Sequence, residues 1–283
     1  MKEPLLSLLH SIQKQYFLAI NFFLFGFLLA GTLPIKGQHR DVPFVPTPYE
    51  TVDEMIKIAG VGPGDYVIDL GSGDGRIVIA AGKKGAFGHG IDIDPRRINE
   101  AKRNAAKAGV DDKVMFVEGN LFDTDFSKAT VVTMYLLNSV NMKLRPIMLE
   151  KLKPGTRVVS YYFNMNDWEP DKQIVVNNSD IHYWVIPAKA EGTWKWNVQD
   201  QPFTMHVKQT FQKIELELSS GNTSYTISNP SLEGDRIWFT AENSSTGAHY
   251  VFHGRIEGQK IYGTIQVRSG DKNNIETWEA STN

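Results

Sequence analysis

An α/β fold, a doubly wound parallel sheet followed by an all-β antiparallel meander, is what this 283-residue sequence predicts. Three observations carry that expectation. Residues 67–76 (Val-Ile-Asp-Leu-Gly-Ser-Gly-Asp-Gly-Arg) read as a buried strand, a glycine-rich turn and the start of a helix. Strand and helix patterns then alternate as far as residue 163, as expected for parallel strands joined by crossover helices. From about Asn178 the helical period disappears, and short alternating runs are separated by turn signals.

The glycine turn narrows the chemistry. Glycines let a backbone approach a ligand closely and adopt positive φ. A dinucleotide fingerprint requires glycine where Arg76 stands, and a P-loop requires Gly-Lys-Ser/Thr, which is absent. Asp69 and Asp74 flank the turn; carboxylates there oppose a phosphate and suit a cation. The run Asp-Leu-Gly-Ser-Gly-Asp-Gly-Arg resembles motif I of the class I S-adenosylmethionine (SAM) methyltransferases. Their cofactor is a sulfonium with an ammonium group and no phosphate. The resemblance implies a Rossmann-like methyltransferase sheet with SAM at the glycine turn.

The following elements fit. Ile77 to Ala81 continue as an apolar helix. His89-Gly90-Ile91-Asp92 is a second strand, and Asp94-Pro95 opens a helix as N-cap and first residue, with apolar positions Ile98, Ala101, Ala105 and Ala108 and a stop at Gly109. An acid ending the second strand, about 20 residues past the glycines, stands where a ribose diol is hydrogen-bonded; Asp92 is assigned to it and Asp94 to the cap. A third strand, 114–117, leads to Asn120-Leu121, the loop that faces adenine in the family, where Asn120 replaces a more usual Asp. A fourth strand, 130–136, ends in Tyr135-Leu136-Leu137-Asn138. A helix over 144–152 with Pro146 in its first turn and a fifth strand over 157–163 complete the alternation.

Ahead of the sheet, three prolines between Val42 and Tyr49 make an extended segment, followed by an amphipathic helix through Val52, Met55, Ile56 and Ala59. The segment is either a linker or a cover over the cofactor, with Thr47 and Tyr49 as its contacts. Residues 16–30 are almost wholly apolar, and extended to Ile35 they reach the length that spans a bilayer. Lys2 and Lys14 precede them and Lys36 and Arg40 follow, so charge leaves the orientation open. An uncleaved membrane anchor and a secretory signal cleaved near Ala30 both remain open. A cytoplasmic catalytic domain is expected because SAM is made there.

Composition excludes less. Net charge is −2 and no basic run with interleaved aromatics appears, so nucleic acid is not an expected partner. The absence of cysteine excludes thiolate catalysis and Cys-ligated zinc, and the seven histidines show no ligand spacing, so no metal is expected.

A narrower resemblance joins three stretches: Val-Pro-Phe-Val-Pro-Thr-Pro, the glycine motif, and Asp167-Trp168-Glu169-Pro170-Asp171. Together they look like a group of bacterial methyltransferases of undefined substrate. They are also similar to the mitochondrial lysine methyltransferases of the ATP synthase c-subunit and the adenine nucleotide translocase, which carry apolar amino-terminal segments too. The resemblance spans residues 43–171 and departs at Asn138, where several relatives have Pro. It implies cofactor contacts at Asp69, Gly71, Gly73, Asp92 and Asn120, to which neighbouring Thr47, Ser72 and Leu121 are added. No catalytic base is compelled. Tyr49, Tyr135, Asn138 and Trp168 are the acceptor-pocket candidates, with Tyr161 beside them, aromatic faces holding an ammonium by cation–π contact. Tyr161 and Trp168 serve equally well as packing against the sheet.

Runs at 194–196, 203–207, 214–218, 237–239, 250–252 and 261–265 are short strands of a meander, a small barrel or sandwich, with its aromatics in the core. The expected organisation is residues 1–40 as anchor or signal and linker, 41–187 as methyltransferase domain and 188–283 as β domain. Two functions compete. One is a SAM-dependent methyltransferase, with a lysine of a membrane-associated protein as a candidate acceptor. The other is an exported or anchored protein whose β domain binds an envelope component beside a non-catalytic methyltransferase-like domain.

Overall fold

A computed structural model describes residues 44–198, 200–270 and 272–282. The apolar stretch at 16–35, with the anchor and signal readings placed on it, lies outside the described residues. Among the described residues no helix is long and apolar enough to cross a membrane.

The first half is a seven-stranded sheet of order β3-β2-β1-β4-β5-β7-β6. Its elements are α1 (Tyr49–Ile58), β1 (Tyr66–Leu70), α2 (Arg76–Lys83), β2 (Phe87–Asp92), α3 (Pro95–Ala108), β3 (Val114–Glu118), β4 (Val131–Met134), α4 (Asn138–Lys151), β5 (Arg157–Tyr161), β6 (Lys172–Val176) and β7 (Ser179–Val185). Strands β1 to β5 are parallel; β7 runs antiparallel to both β5 and β6. β1, β4 and β5 lie in the interior of the sheet, and four of β1's five residues and all four of β4's are buried. That burial explains why they read as unbroken apolar runs. The order changes direction between β1 and β4, so the carboxyl ends of those strands form the edge where an open α/β sheet binds ligands.

Local signals hold where the backbone obeys them. Asp94 caps α3, accepting from the Arg96 amide at 3.0 Å, Pro95 follows it, and Gly109 ends the helix in the left-handed region at φ 66°. Asp94→Ala should therefore cost about 1 kcal/mol in a urea titration, the usual worth of an N-cap. The fourth helix departs from the expected one. It begins at Asn138, six residues early, because Val140, Asn141 and Leu144 are buried against the sheet, and this leaves Pro146 inside the helix. Tertiary burial here outweighs the hydrogen bond that proline cannot donate.

The second half is a closed antiparallel barrel of eight strands, β8 (Gly192–Val198), β9 (Gln201–Thr210), β10 (Lys213–Ser220), β11 (Thr223–Glu233), β12 (Arg236–Asn243), β13 (Ala248–Glu257), β14 (Lys260–Ser269) and β15 (Lys272–Thr282). Eight strands enclose an interior that side chains just fill. Trp194, Phe203, Phe239, Phe252 and Trp278 do so, each at 3% exposure or less. The sheet and the barrel meet at the β9–β10 turn. Phe211 there stacks on Trp168 with ring centroids 5.7 Å apart, Gln212 accepts from the Trp168 indole at 2.9 Å, and Lys213 pairs with Glu169.

Candidate functional site

The glycine turn joins β1 to α2, with Gly71, Gly73 and Gly75 all at positive φ (82°, 53° and 83°). Side chains are excluded for a second reason: a Cβ on Gly71 would lie 2.8 Å from Leu136, and one on Gly73 2.2 Å from the Phe44 ring. Four amides of the turn are consumed internally. The Gly71 and Ser72 amides both donate to the Ile91 carbonyl at 2.9 Å, Gly73 donates to Asp92 Oδ2 at 2.8 Å, and Gly75 donates to the Ser72 carbonyl at 2.9 Å. A phosphate loop keeps such N–H groups free for the anion. This one has spent them, and what it offers is carboxylate.

Three acids surround the turn, with different fates. Asp74 is neutralised by Arg76, whose Nε and Nη2 reach it at 2.9 and 2.5 Å. Arg76 also donates from Nη1 to the Thr47 carbonyl at 2.6 Å and lies over the Tyr49 ring at 4.7 Å. It thus ties the proline-rich segment to the glycine turn. Phe44, against Gly73, carries the Arg97 guanidinium over its ring at 3.8 Å. Asp92 bridges the Gly73 and Asp94 amides, both at 2.8 Å. Asp69 is buried and accepts from Thr133 Oγ1 at 2.7 Å. Desolvation, helped by the charges of Asp92 and Asp74, pushes its carboxyl up to about 7.

The residues present fit a cationic cofactor. Asp69 is disfavoured as a lone buried anion, and an ammonium beside it restores the charged form. Ser72 Oγ is buried with no partner, a polar atom available to a ligand. The sign for stability follows from the raised value. Between pH 3.8 and about 7 the folded chain holds a proton on Asp69 that the unfolded chain has lost, so this group makes stability fall as pH rises through that window and leaves it level above. Asp69→Asn should match the parent near pH 4 and exceed it by at least about 1 kcal/mol at pH 8 in denaturant titrations.

The other sequence-chosen residues divide. Thr47 is buried, held by its carbonyl to Arg76, whereas Tyr49 is exposed. Leu121 packs on the core beneath β4. Asn120 makes a local turn: its Nδ2 donates to Asp123 at 2.9 Å and its Oδ1 accepts from the Phe122 amide at 3.1 Å. Half of its side-chain hydrogen-bonding capacity therefore shapes the loop, which leaves one N–H and one lone pair. Trp168 is a correction. It is 0% exposed, stacked on Phe211 and tilted against Trp184, so its ring offers nothing to an acceptor. Asn138 is engaged by the loop after β5; its Nδ2 donates to Asn164 O at 3.1 Å and Asn166 Oδ1 at 3.1 Å.

Tyr135 stands just past the carboxyl end of β4. Its ring lies 4.6 Å from Tyr161 and 6.4 Å from Phe163, and Tyr162 packs at 4.9 Å from Phe163. Adjacent Leu136 backs Gly71, and Leu70 pairs with Met134, so the β4 end that carries Tyr135 lies beside the start of the glycine turn. Tyr162 and Phe163 carry no site signal of their own in the sequence, and the motifs that contain Arg76 and Phe44 do not show that these two tie the 44–49 segment to the glycine turn. The one hint there is a run of aromatic and Asn residues, 161–166, just past a strand end.

Comparisons with known proteins agree with this geometry. A family model, the ANTKMT methyltransferase domain, matches residues 69–172. A protein-lysine N-methyltransferase of Saccharolobus islandicus is 47% identical over 148 residues, which is 51% of this chain and 91% of that protein. The human ATP synthase c-subunit lysine N-methyltransferase is 31% identical over 130 residues, 46% of this chain and 55% of its own length, so the chain spans about half of that relative. The crystal structure of an RNA methyltransferase from Salinibacter ruber in complex with S-adenosyl-L-homocysteine shares 52% identity and a TM-score of 0.51, over 51% of this chain and 95% of that one. With nine-tenths of the Saccharolobus islandicus protein matched at that identity, the chain belongs to the SAM-dependent protein-lysine methyltransferase family.

Proposed function

We propose that residues 41–187 are a catalytic unit that methylates the side-chain amine of a lysine in a protein acceptor. The observation that carries it is the glycine turn whose amides are spent internally while Asp69 and Asp92 remain beside it, next to an aromatic strand end. Bound SAM supplies a methyl already activated on a sulfonium. The chain's own residues have the remaining tasks. Asp69 and Asp92 orient the cofactor's charged and hydroxyl groups. Arg76 holds the 44–49 segment over the turn and excludes water. The aromatic edge receives the acceptor side chain, whose ammonium gives its proton to solvent before the neutral amine attacks. In-line alignment then provides most of the acceleration.

We further propose that the apolar stretch at 16–35 attaches the chain to a membrane, with the catalytic unit on the cytoplasmic side where SAM is supplied, and that the acceptor is membrane-associated. Relatives described as acting on the ATP synthase c-subunit support that direction. One experiment tests the whole reading. The purified chain is incubated with radiolabelled SAM and membrane or soluble fractions, followed by protease or ribonuclease digestion and amino-acid analysis. Label in methylated lysine of a membrane protein is expected. Protease-resistant label in RNA would overturn the protein acceptor, and label confined to soluble proteins would overturn the membrane one.

A further inference from the structure

We infer that Tyr162, together with Tyr135 and Phe163, is the seat for the acceptor's ammonium group, and that the backbone after β5 is held in an unfavourable turn in order to present the Tyr162 ring. The inference rests on the lysine reading above.

Tyr162 sits at φ 69°, and the Phe163 amide donates across it to the Tyr161 carbonyl at 2.8 Å, which is a three-residue γ-turn of the rare positive-φ kind. A bulky aromatic is among the worst residues for that conformation. Packing does not account for it, because the residue is 54% exposed. Glycine would take the same backbone without strain. The surroundings nevertheless hold the turn from every side. The Tyr162 amide donates to Asp180 O at 2.7 Å, and His182 Nε2 donates to the Tyr162 carbonyl at 3.4 Å. Ser160 Oγ and Asn141 Nδ2 donate to the Phe163 carbonyl at 2.6 and 3.2 Å. Asn138 ties down Asn164 and Asn166, and Arg145 holds the Met165 carbonyl at 3.0 Å. A strained conformation fixed by this many contacts, at the ligand edge of the sheet, marks a functional position. Rings of Tyr135, Tyr161, Tyr162 and Phe163 lie within 4.6–6.4 Å of a neighbour in the group. Such a group offers its faces to a cation. The β9–β10 turn of the barrel braces the far end of the same loop through Trp168.

The test uses the full chain saturated with S-adenosylhomocysteine. Two probes are titrated by calorimetry: Nα-acetyl-trimethyl-lysine amide and its neutral tert-butyl isostere. The cation is expected to bind about fivefold or more tighter than the isostere. Tyr162→Phe should keep that preference, and Tyr162→Ala and Tyr162→Gly should abolish it, with S-adenosylhomocysteine affinity unchanged within about twofold. Tyr162→Gly should melt no lower than the parent, which separates loss of the ring from loss of the fold. Equal binding of cation and isostere by the parent, or a preference retained in Tyr162→Gly, overturns the seat. If the parent methylates lysine and Tyr162→Ala keeps its acceptor KM, the seat falls and the lysine reading stands; if the parent labels only non-lysine acceptors, the lysine reading itself falls.

Discussion

Asp92→Ala should weaken SAM binding about 100-fold while leaving the chain folded. Its carboxylate is the joint between the glycine turn and the start of α3, accepting from the Gly73 amide through Oδ2 and from the Asp94 amide through Oδ1, each at 2.8 Å. Hydrogen bonds to a charged group are worth about 1.5–3 kcal/mol apiece. Truncation removes both, frees Gly73 to leave its φ of 53°, and deletes a negative charge from a site for a cationic ligand that is also assigned the ribose hydroxyls. About 2.7 kcal/mol, two decades in affinity, follows if only one of these losses is fully felt by the cofactor. The fold should survive because Asp92 is only half-buried and water can reach the two amides. Asp92→Asn keeps an acceptor for one amide without the charge, and about a tenfold loss is expected. Calorimetry with SAM measures all three. An Asp92→Ala protein that binds within threefold of the parent would remove the cofactor from this end of β2.

How far the sequence foretells this site depends on whether its signals are local. β1, β4 and β5 are buried strands, so their apolar runs are visible in any window. The glycine turn and the Asp94-Pro95 cap are fixed by backbone demands that few residue types satisfy. What escapes is imposed from a distance. Tyr162 has no local reason to adopt positive φ; Asp180, His182 and Asn141 force it. Trp168 reads as a strand-end aromatic beside an active edge, and it is buried by distant residues, Trp184 of β7 and the barrel's Phe211 and Gln212. β11 and β15 lack a legible pattern for a different reason. β11 contains Asn229-Pro230, a turn signal that the structure uses as a bulge between Ser228 and Ser231, and a bulge tolerates residues a regular ladder does not. β15 is polar along most of its length, yet it pairs with β14 over ten positions because closing the barrel requires it.

That closure is the basis of the second large effect: Gly263→Ala should destabilise the chain by about 3 kcal/mol or more. Gly263 on β14 lies opposite Gly254 on β13 and opposite Trp278 on β15. The Trp278 indole lies across this glycine pair and donates from Nε1 to the His253 and Thr264 carbonyls at 3.1 and 3.2 Å. A Cβ on Gly263 would stand 1.9 Å from the His253 carbonyl oxygen, 2.6 Å from Trp278 Nε1 and 2.8 Å from the Gly254 Cα. Two of those atoms are backbone in a paired strand, so no rotamer change relieves the clash. Either β13 and β14 separate locally or the indole leaves. Overpacking alone costs about 1–3 kcal/mol, and an indole N–H or carbonyl left buried without its partner adds about 1–3 kcal/mol. For a chain of this size a loss of about 3 kcal/mol corresponds to a fall in Tm of roughly 6–12 °C. Gly62→Ala is the matched control: no atom lies within 4 Å of its added Cβ and its φ is not in the left-handed region, so its melting curve should overlay the parent's. A Gly263→Ala protein that melts with the control would mean that Trp278 does not seal the barrel. A protein that loses its barrel transition but still binds SAM would show that the sheet holds its cofactor site without the barrel's support, and would confine the barrel's contribution to the acceptor loop that Phe211 and Gln212 brace.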